Sequence, residues 1–191
     1  HCRHLVSTDD DYSRLWQQCL EDADTIFIIA PETAGILAQL QQYAYQTGKS
    51  VLGCSPEAIR LTSNKYTCEQ ILTANNIATT HSCTAEEWPQ HRFTSEHGYI
   101  VKPIDGAGCV NTHLFNTAQE LEHYLSSLSD EQLPYYLVQA FIKGIAASLS
   151  LLLTNNKLEV LAISQQLISI TNKLQFNGCI INDIDSASFS L

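Results

Sequence analysis

The residues best suited to bind an anion are a lysine in an apolar run and the glycine-containing turn after it. Lys102 lies within the run 99–103, where an ammonium must reach solvent along its alkyl stem or meet an anion. The turn that follows contains Asp105, Gly106, Ala107 and Gly108. Glycines let backbone N–H groups converge, and a nearby ammonium completes a phosphate site. A solvent-facing lysine beside an ordinary hairpin turn fits these residues equally well.

Other polar residues stand where predicted elements begin or end. Lys65 follows Asn64 at the start of a predicted helix, and Gln139 lies in the apolar run 135–142. Glu32 follows a predicted strand, at the edge of the sheet where open α/β proteins bind ligands. A carboxylate that interacts favourably with a helix dipole explains Glu32 equally well. Gln166 follows a later strand and either faces a cleft or lies at the surface.

The hydrophobic pattern predicts one parallel βαβ unit followed by mixed helices and strands. An amphipathic helix containing Leu15, Trp16, Cys19 and Leu20 is followed by a strand at 25–30, which we expect to be buried on both faces. A helix from Pro31 to about Thr47, ended by Gly48, leads to a strand at 50–53. Further predicted helices cover 63–75 and 117–128, the second with a capping box between Thr117 and Glu120. The predicted strands and extended segments are 77–80, 99–103, 110–115, 135–142, 146–153 and 157–163 or beyond, with a polar loop over 81–97 and a turn at Asn155–Asn156.

Composition excludes several classes of protein. Ten Lys and Arg against twenty Asp and Glu give a formal net charge of −10, which argues against nucleic-acid binding. No apolar run is long enough for a membrane helix, and no signal peptide is recognisable. The seven cysteines include no C-x-x-C pair, so we expect buried thiols in the cytoplasm. The chain starts at His1 and has no Met, which predicts a segment of a longer protein.

The order of these features resembles the ATP-grasp superfamily. A lysine opens a helix, a strand with Lys102 and Pro103 leads into a glycine turn, and an apolar strand precedes Gly144 and Ser148. The resemblance covers about residues 25–182. It implies an α/β fold in which an ATP-grasp domain at 59–191 follows part of a Rossmann-like βαβ domain at 1–58.

The resemblance also implies roles for individual residues. Lys65 and Lys102 would bind the phosphates of ATP from opposite sides of a cleft, beneath a mobile turn at 105–108. The adenine hinge would be Gln139, Ala140, Phe141 and Ile142, with main-chain groups of Ala140 and Phe141 meeting the base. Ser148 would belong to the same ATP site, and Glu32 and Gln166 are candidates to touch substrate.

Within the superfamily the chain looks most like the tyramine–glutamate ligase type of methanofuran biosynthesis. The segments that carry this similarity are 29–32, 52–56, 61–65, 138–139 and 144–148. It departs from the family where Gln139 replaces a glutamate that accepts the adenine amino proton, and where Ala146 replaces a ribose-binding glutamate. The family's magnesium-binding Glu-x-Asn string is not present, so those ligands are expected beyond Leu191. Asp183 and Asp185 are interpreted as turn residues.

The activity implied is ATP-dependent joining of a small carboxylic acid to a small amine through an acyl phosphate, with ATP and Mg²⁺ as cofactors. Two other hypotheses remain open: a nucleotide-binding module without catalysis, and a small-molecule-binding α/β protein in which Lys102 is merely exposed. The sequence does not identify the acid or the amine. It leaves a homo-oligomer open.

Overall fold

The computed structural model describes residues 8–154 and 157–182. The chain divides into two compact units, His1–Cys68 and Glu69–Leu191. The predicted turn at Asn155–Asn156 and the residues Asp183 and Asp185 lie outside the described residues. The domain boundary at 58/59 stays a prediction.

The first unit contains the predicted parallel βαβ arrangement. Helix α1 (Asp9–Asp22) precedes strand β1 (Thr25–Phe27), helix α2 (Ile36–Gln46), strand β2 (Ser50–Leu52) and helix α3 (Pro56–Ser63). Strands β1 and β2 are parallel, with Thr25 opposite Ser50. Leu20, Ile26 and Ala44 form the core of this unit.

Two expectations about this unit were wrong. The strand at 25–30 is not buried on both faces, since Phe27 is 66% exposed and β1 has only β2 as a described neighbour. The helix predicted from Pro31 begins later, at Ile36, because the left-handed backbone of Ala34 and Gly35 interrupts it after one 3₁₀ turn. Gly48, also left-handed, follows the end of α2 as predicted. Helix α3 was not predicted, although Ser55 accepts a hydrogen bond from the Ala58 N–H and Pro56 takes the first helical position.

The second unit contains a four-stranded antiparallel sheet. Its strands are β3 (Ser82–Thr84), β4 (Tyr99–Pro103), β5 (His113–Phe115) and β6 (Tyr136–Ala140), in the spatial order β3-β6-β4-β5. Helix α4 (Lys65–Ala74) precedes the sheet in the chain, and helix α5 (Ala118–Leu125) follows β5. One face of the sheet contributes Tyr99, Val101 and Val138 to a core with Trp88 and Leu121. Strands β4 and β5 pair antiparallel, with Tyr99 opposite Phe115, which confirms the predicted hairpin.

A second, three-stranded antiparallel sheet consists of β7 (Ala147–Thr154), β8 (Lys157–Ile170) and β9 (Leu174–Ile181). It joins the first sheet at the edge of β5, where the Leu114 N–H donates to Asn172 O at 3.2 Å and the Leu174 N–H donates to Thr112 O at 3.0 Å. The backbone from Phe141 to Ala146 connects the two sheets.

One further expectation about the second unit was wrong. The polar loop predicted over 81–97 contains strand β3. The segment 77–80, predicted as short and extended, contains no helix or regular strand. Strand β9 was not predicted. Across the described part of the chain, no helix combines the length and apolarity that crossing a bilayer requires.

Candidate functional site

Lys102 and Gln139 form a polar pair on neighbouring strands. The Lys102 Nζ donates to Gln139 Oε1 at 2.7 Å. In the β4–β6 register Lys102 lies opposite Leu137 and Gln139 lies opposite Ile100. Since side chains directly opposite one another share a face, all four occupy the face away from the Trp88 core.

Apolar side chains surround this pair. Leu137 is fully buried and Ile100 nearly so, whereas Lys102 and Gln139 are half-buried. A half-buried ammonium above an apolar surface interacts more strongly with an anion than one in bulk water, because the local dielectric constant is lower. The lysine expected to bind phosphate is thus held by a sheet neighbour in a setting that favours anion binding.

The same face carries a second polar contact, which the sequence did not reveal. Ser82 lies opposite Gln139 in the β3–β6 register, and its hydroxyl donates to Glu69 Oε2 at 2.8 Å. Glu69 lies on α4, 13 residues before Ser82, so no local sequence pattern indicates this contact. Polar groups therefore cross three strands of the sheet on one side.

Cys83, next in the chain, belongs to the opposite face and its core. Burial, together with the negative charges of Glu87 and Glu69, raises the pKa of the Cys83 thiol to about 12. The thiol is therefore protonated at neutral pH and is no nucleophile.

The turn after β4 has an unusual backbone. Gly106, Gly108, Cys109 and Asn111 all have positive φ, at 90°, 68°, 60° and 51°. A Cβ added to Gly108 would meet nothing within 4 Å, so the demand for glycine there is conformational rather than steric. Left-handed residues within turns form the concave arrays of N–H groups that bind anions. Asp105 is half-buried, while Ala107 and Gly108 are exposed.

The predicted hinge begins at the end of β6. The Ala140 N–H donates to His81 O at 3.1 Å, and the Phe141 N–H donates to Gly98 O at 2.9 Å. Both backbone donors are engaged within the protein, so Ala140 and Phe141 have their carbonyl oxygens to offer a base. Ile142 follows and is exposed.

A cavity of about 620 Å³ lies between the predicted hinge and the second sheet. Phe141, Ile142 and Gly144 line one side, and Gln166, Ile168 and Ile170 line the other. The volume is within the usual range for small-molecule sites, and the lining is largely apolar with a few polar groups. The structure thus brings the predicted hinge together with the substrate candidate Gln166.

The remaining predicted residues are more scattered. Lys65 begins α4 and belongs to the first unit, whereas Lys102 belongs to the second, so their convergence stays a prediction. Glu32 is an exposed residue ahead of the 3₁₀ turn in the first unit. Ser148 is half-buried on β7, opposite the buried Ser164.

Within residues 8–154 and 157–182, no group of three or more His, Cys, Asp or Glu side chains is placed to hold a metal ion. The described residues therefore do not fit a magnesium site.

Solved structures share this fold at low sequence identity. A protein of the ATP-grasp superfamily from Archaeoglobus fulgidus is 22% identical, with a TM-score of 0.66 over 92% of this chain and 48% of that one. N5-carboxyaminoimidazole synthetase from Staphylococcus aureus, solved with ADP, is 14% identical, with a TM-score of 0.66 over 98% of this chain and 48% of its own. L-amino acid ligase from Bacillus licheniformis is 16% identical, with a TM-score of 0.59 over 83% of this chain and 37% of its own.

This chain thus spans half or less of the length of these three structures. No curated protein sequence matches it significantly. Two family models do match: the pre-ATP-grasp 3 domain over residues 2–59 and the ATP-grasp domain over residues 62–188. The family models together match most of the sequence, and the antiparallel sheets and the Lys102 strand with its glycine turn are consistent with them. The chain belongs to the ATP-grasp family.

Proposed function

We propose that this chain is the nucleotide-binding part of an ATP-dependent ligase that joins a carboxylic acid to an amine. The observation that carries the proposal is the half-buried Lys102, held by Gln139 beside a turn of left-handed residues. The hinge cavity in the same unit has room for a base. The similar solved structures include an L-amino acid ligase, which supports a ligase reaction.

The reaction proposed has two steps. A carboxylate oxygen attacks the γ-phosphorus of ATP, the bond to the β,γ-bridging oxygen breaks, and an acyl phosphate and ADP result. The amine nitrogen then attacks the acyl carbon, and inorganic phosphate leaves as the amide forms and the nitrogen loses a proton. Lys102 and Lys65 stabilise negative charge on the phosphates without reacting covalently, and the turn at 105–108 excludes water.

We assign Mg²⁺ no ligand among the described residues, because no three of their His, Cys, Asp or Glu side chains are placed to hold a metal ion. When bound, Mg²⁺ would neutralise phosphate charge, and we propose that its ligands lie outside the described residues.

The finer proposal for the substrates is glutamate as the acid and tyramine as the amine. Its support is the similarity of the segments 29–32, 52–56 and 61–65 to the tyramine–glutamate ligase type. Glu32 and Gln166 are the candidate substrate contacts. Incubation of the protein with ATP, Mg²⁺, glutamate and tyramine, followed by mass spectrometry of the amide, tests this pairing.

Calorimetric titration with ATP tests the core of the proposal. Replacing Lys102 with Ala removes an ammonium that faces phosphate, and we expect the affinity for ATP to fall at least about tenfold. Lys157→Ala is the matched control, since Lys157 is an exposed lysine of the same unit, paired with Glu159. An unchanged affinity in Lys102→Ala, or an equal loss in the control, would contradict the assignment.

A nucleotide-binding module without catalysis is the second candidate. The observation in its favour is that the described residues hold no set of metal-binding carboxylates. Phosphate release in the presence of ATP, Mg²⁺, acid and amine distinguishes the two, because only the ligase releases phosphate. A protein whose melting temperature ATP does not raise would instead fit the third hypothesis, a small-molecule-binding α/β protein with an exposed Lys102.

A further inference from the structure

The contact between Lys102 and Gln139 determines which way the glutamine amide faces. A lysine ammonium carries three donors and no acceptor, so only the amide oxygen of Gln139 can face it at 2.7 Å. The Nε2 group, with its two donors, therefore lies on the other side of the amide. The ammonium donates one hydrogen bond to this oxygen.

Gln139 lies between the two parts of the proposed nucleotide site. It bonds to Lys102 on one side, and two residues farther along the chain Phe141 lines the 620 Å³ cavity. This step rests on the proposed function: with phosphates at Lys102 and a base in the cavity, an edge of the base meets the Gln139 amide. Gln139 is half-buried between β3 and β4, so its polar atoms are well placed to discriminate among bases.

Purines differ along the edge that carries positions 6 and 7. Adenine offers the acceptor N7 and an amino donor at position 6, whereas a 6-oxopurine offers acceptors at both positions. A carboxylate can only accept, so it favours the adenine amino group. An amide that presents its donors suits N7 in either base and also suits a 6-oxo group.

The neighbouring strand β3 supplies a hydroxyl rather than a carboxylate at this register position. Ser82 lies opposite Gln139, and its hydroxyl already donates to Glu69 Oε2. We propose that Gln139, oriented by Lys102, makes this site weakly selective for adenine, so that it accepts 6-oxopurine nucleoside triphosphates beside ATP.

The test compares ATP with inosine triphosphate (ITP), which carries oxygen at position 6 and lacks the 2-amino group of guanine. Dissociation constants are measured by calorimetry on the 191-residue chain, and the readout is Kd(ITP)/Kd(ATP). We expect a ratio within about tenfold for the wild type, since the strong discrimination of a matched buried hydrogen-bond partner is missing. In Gln139→Glu the ratio should rise at least about tenfold, the effect of one hydrogen bond to a charged group.

Using a ratio removes the largest side effect of this substitution. The new carboxylate also pairs with Lys102 and weakens phosphate binding, but it does so for both nucleotides alike. Gln119→Glu is the matched control, because it adds the same charge at an exposed position of α5 and should leave the ratio unchanged. Gln139→Met, which keeps the side-chain length without donors, should weaken ITP more than ATP and provides a second variant if Gln139→Glu does not fold.

The outcomes separate this inference from the proposed function. Suppose that ATP binds. The inference is overturned, while the proposed function stands, if the wild type prefers ATP over ITP more than about a hundredfold. The same holds if neither Gln139 variant changes the ratio. If neither nucleotide binds, the proposed function is overturned and the inference with it.

Discussion

Gly98 occupies a position where a methyl group has no room. It has φ of +98° and is buried, immediately before β4. A Cβ built on it would lie 2.4 Å from Phe115 O and 3.2 Å from Asn116 Cα. Both neighbours are backbone atoms, which cannot rotate away as a side chain would. Gly98 O also accepts the Phe141 N–H, so a shift at Gly98 would reach the predicted hinge.

Three glycine-to-alanine variants separate the cost of a left-handed backbone from the cost of a steric collision. Gly144→Ala adds neither backbone strain nor a new contact, and we expect the free energy of unfolding to change by no more than about 1 kcal/mol. Gly108→Ala adds only the left-handed backbone penalty, about 1–2 kcal/mol. Gly98→Ala adds that penalty and a backbone collision, and we expect a loss of at least about 3 kcal/mol.

Urea unfolding followed by tryptophan fluorescence measures these differences. The two tryptophans lie in different units, Trp16 in α1 and Trp88 in the second core. In a Trp16→Phe background the signal reports Trp88 and so the unit that contains Gly98. A Gly98→Ala cost no larger than that of Gly108→Ala would refute the reasoning, since it would show that the Phe115 carbonyl moves aside freely.

Two further predictions concern a helix cap and a buried thiol. Thr117→Ala should lower the free energy of unfolding by about 1 kcal/mol, since Thr117 Oγ1 accepts the Glu120 N–H at 3.2 Å. Thr117→Ser keeps this acceptor and should lower it by only about a few tenths of a kcal/mol. Urea denaturation measures both. With its pKa raised to about 12, the Cys83 thiol binds its proton more tightly folded than unfolded. Its contribution to stability is thus complete below the ordinary thiol pKa of 9.0 and is lost as pH rises toward 12. The fall in melting temperature over that pH range should therefore be smaller in Cys83→Ala. An aromatic disulfide reagent at pH 8 should accordingly label the exposed Cys19, Cys54 and Cys179 and leave Cys83 unmodified until the protein unfolds.

The sequence by itself determined the features that depend on neighbours within a few residues. The Thr117 cap is an example, as is Gly48 beyond the end of α2. The β4–β5 hairpin, with Lys102 in its first strand, was predicted as well. In each case the interaction that shapes the backbone joins residues close in the chain, so the residue types suffice. Helix α3 was missed although its Ser55–Pro56 start signal was present, and β3 was missed because three residues carry too little pattern.

Only the tertiary structure decided which distant groups meet. The bond between Lys102 and Gln139 joins strands 37 residues apart and exists because the β4–β6 register puts both on one face. A slip of one residue would have turned either side chain into the core, and nothing local in the sequence specifies that register. Two other contacts depend in the same way on packing between segments remote in sequence. His81 O and Gly98 O accept the N–H groups of the predicted hinge, and Gln166 and Phe141 line one cavity.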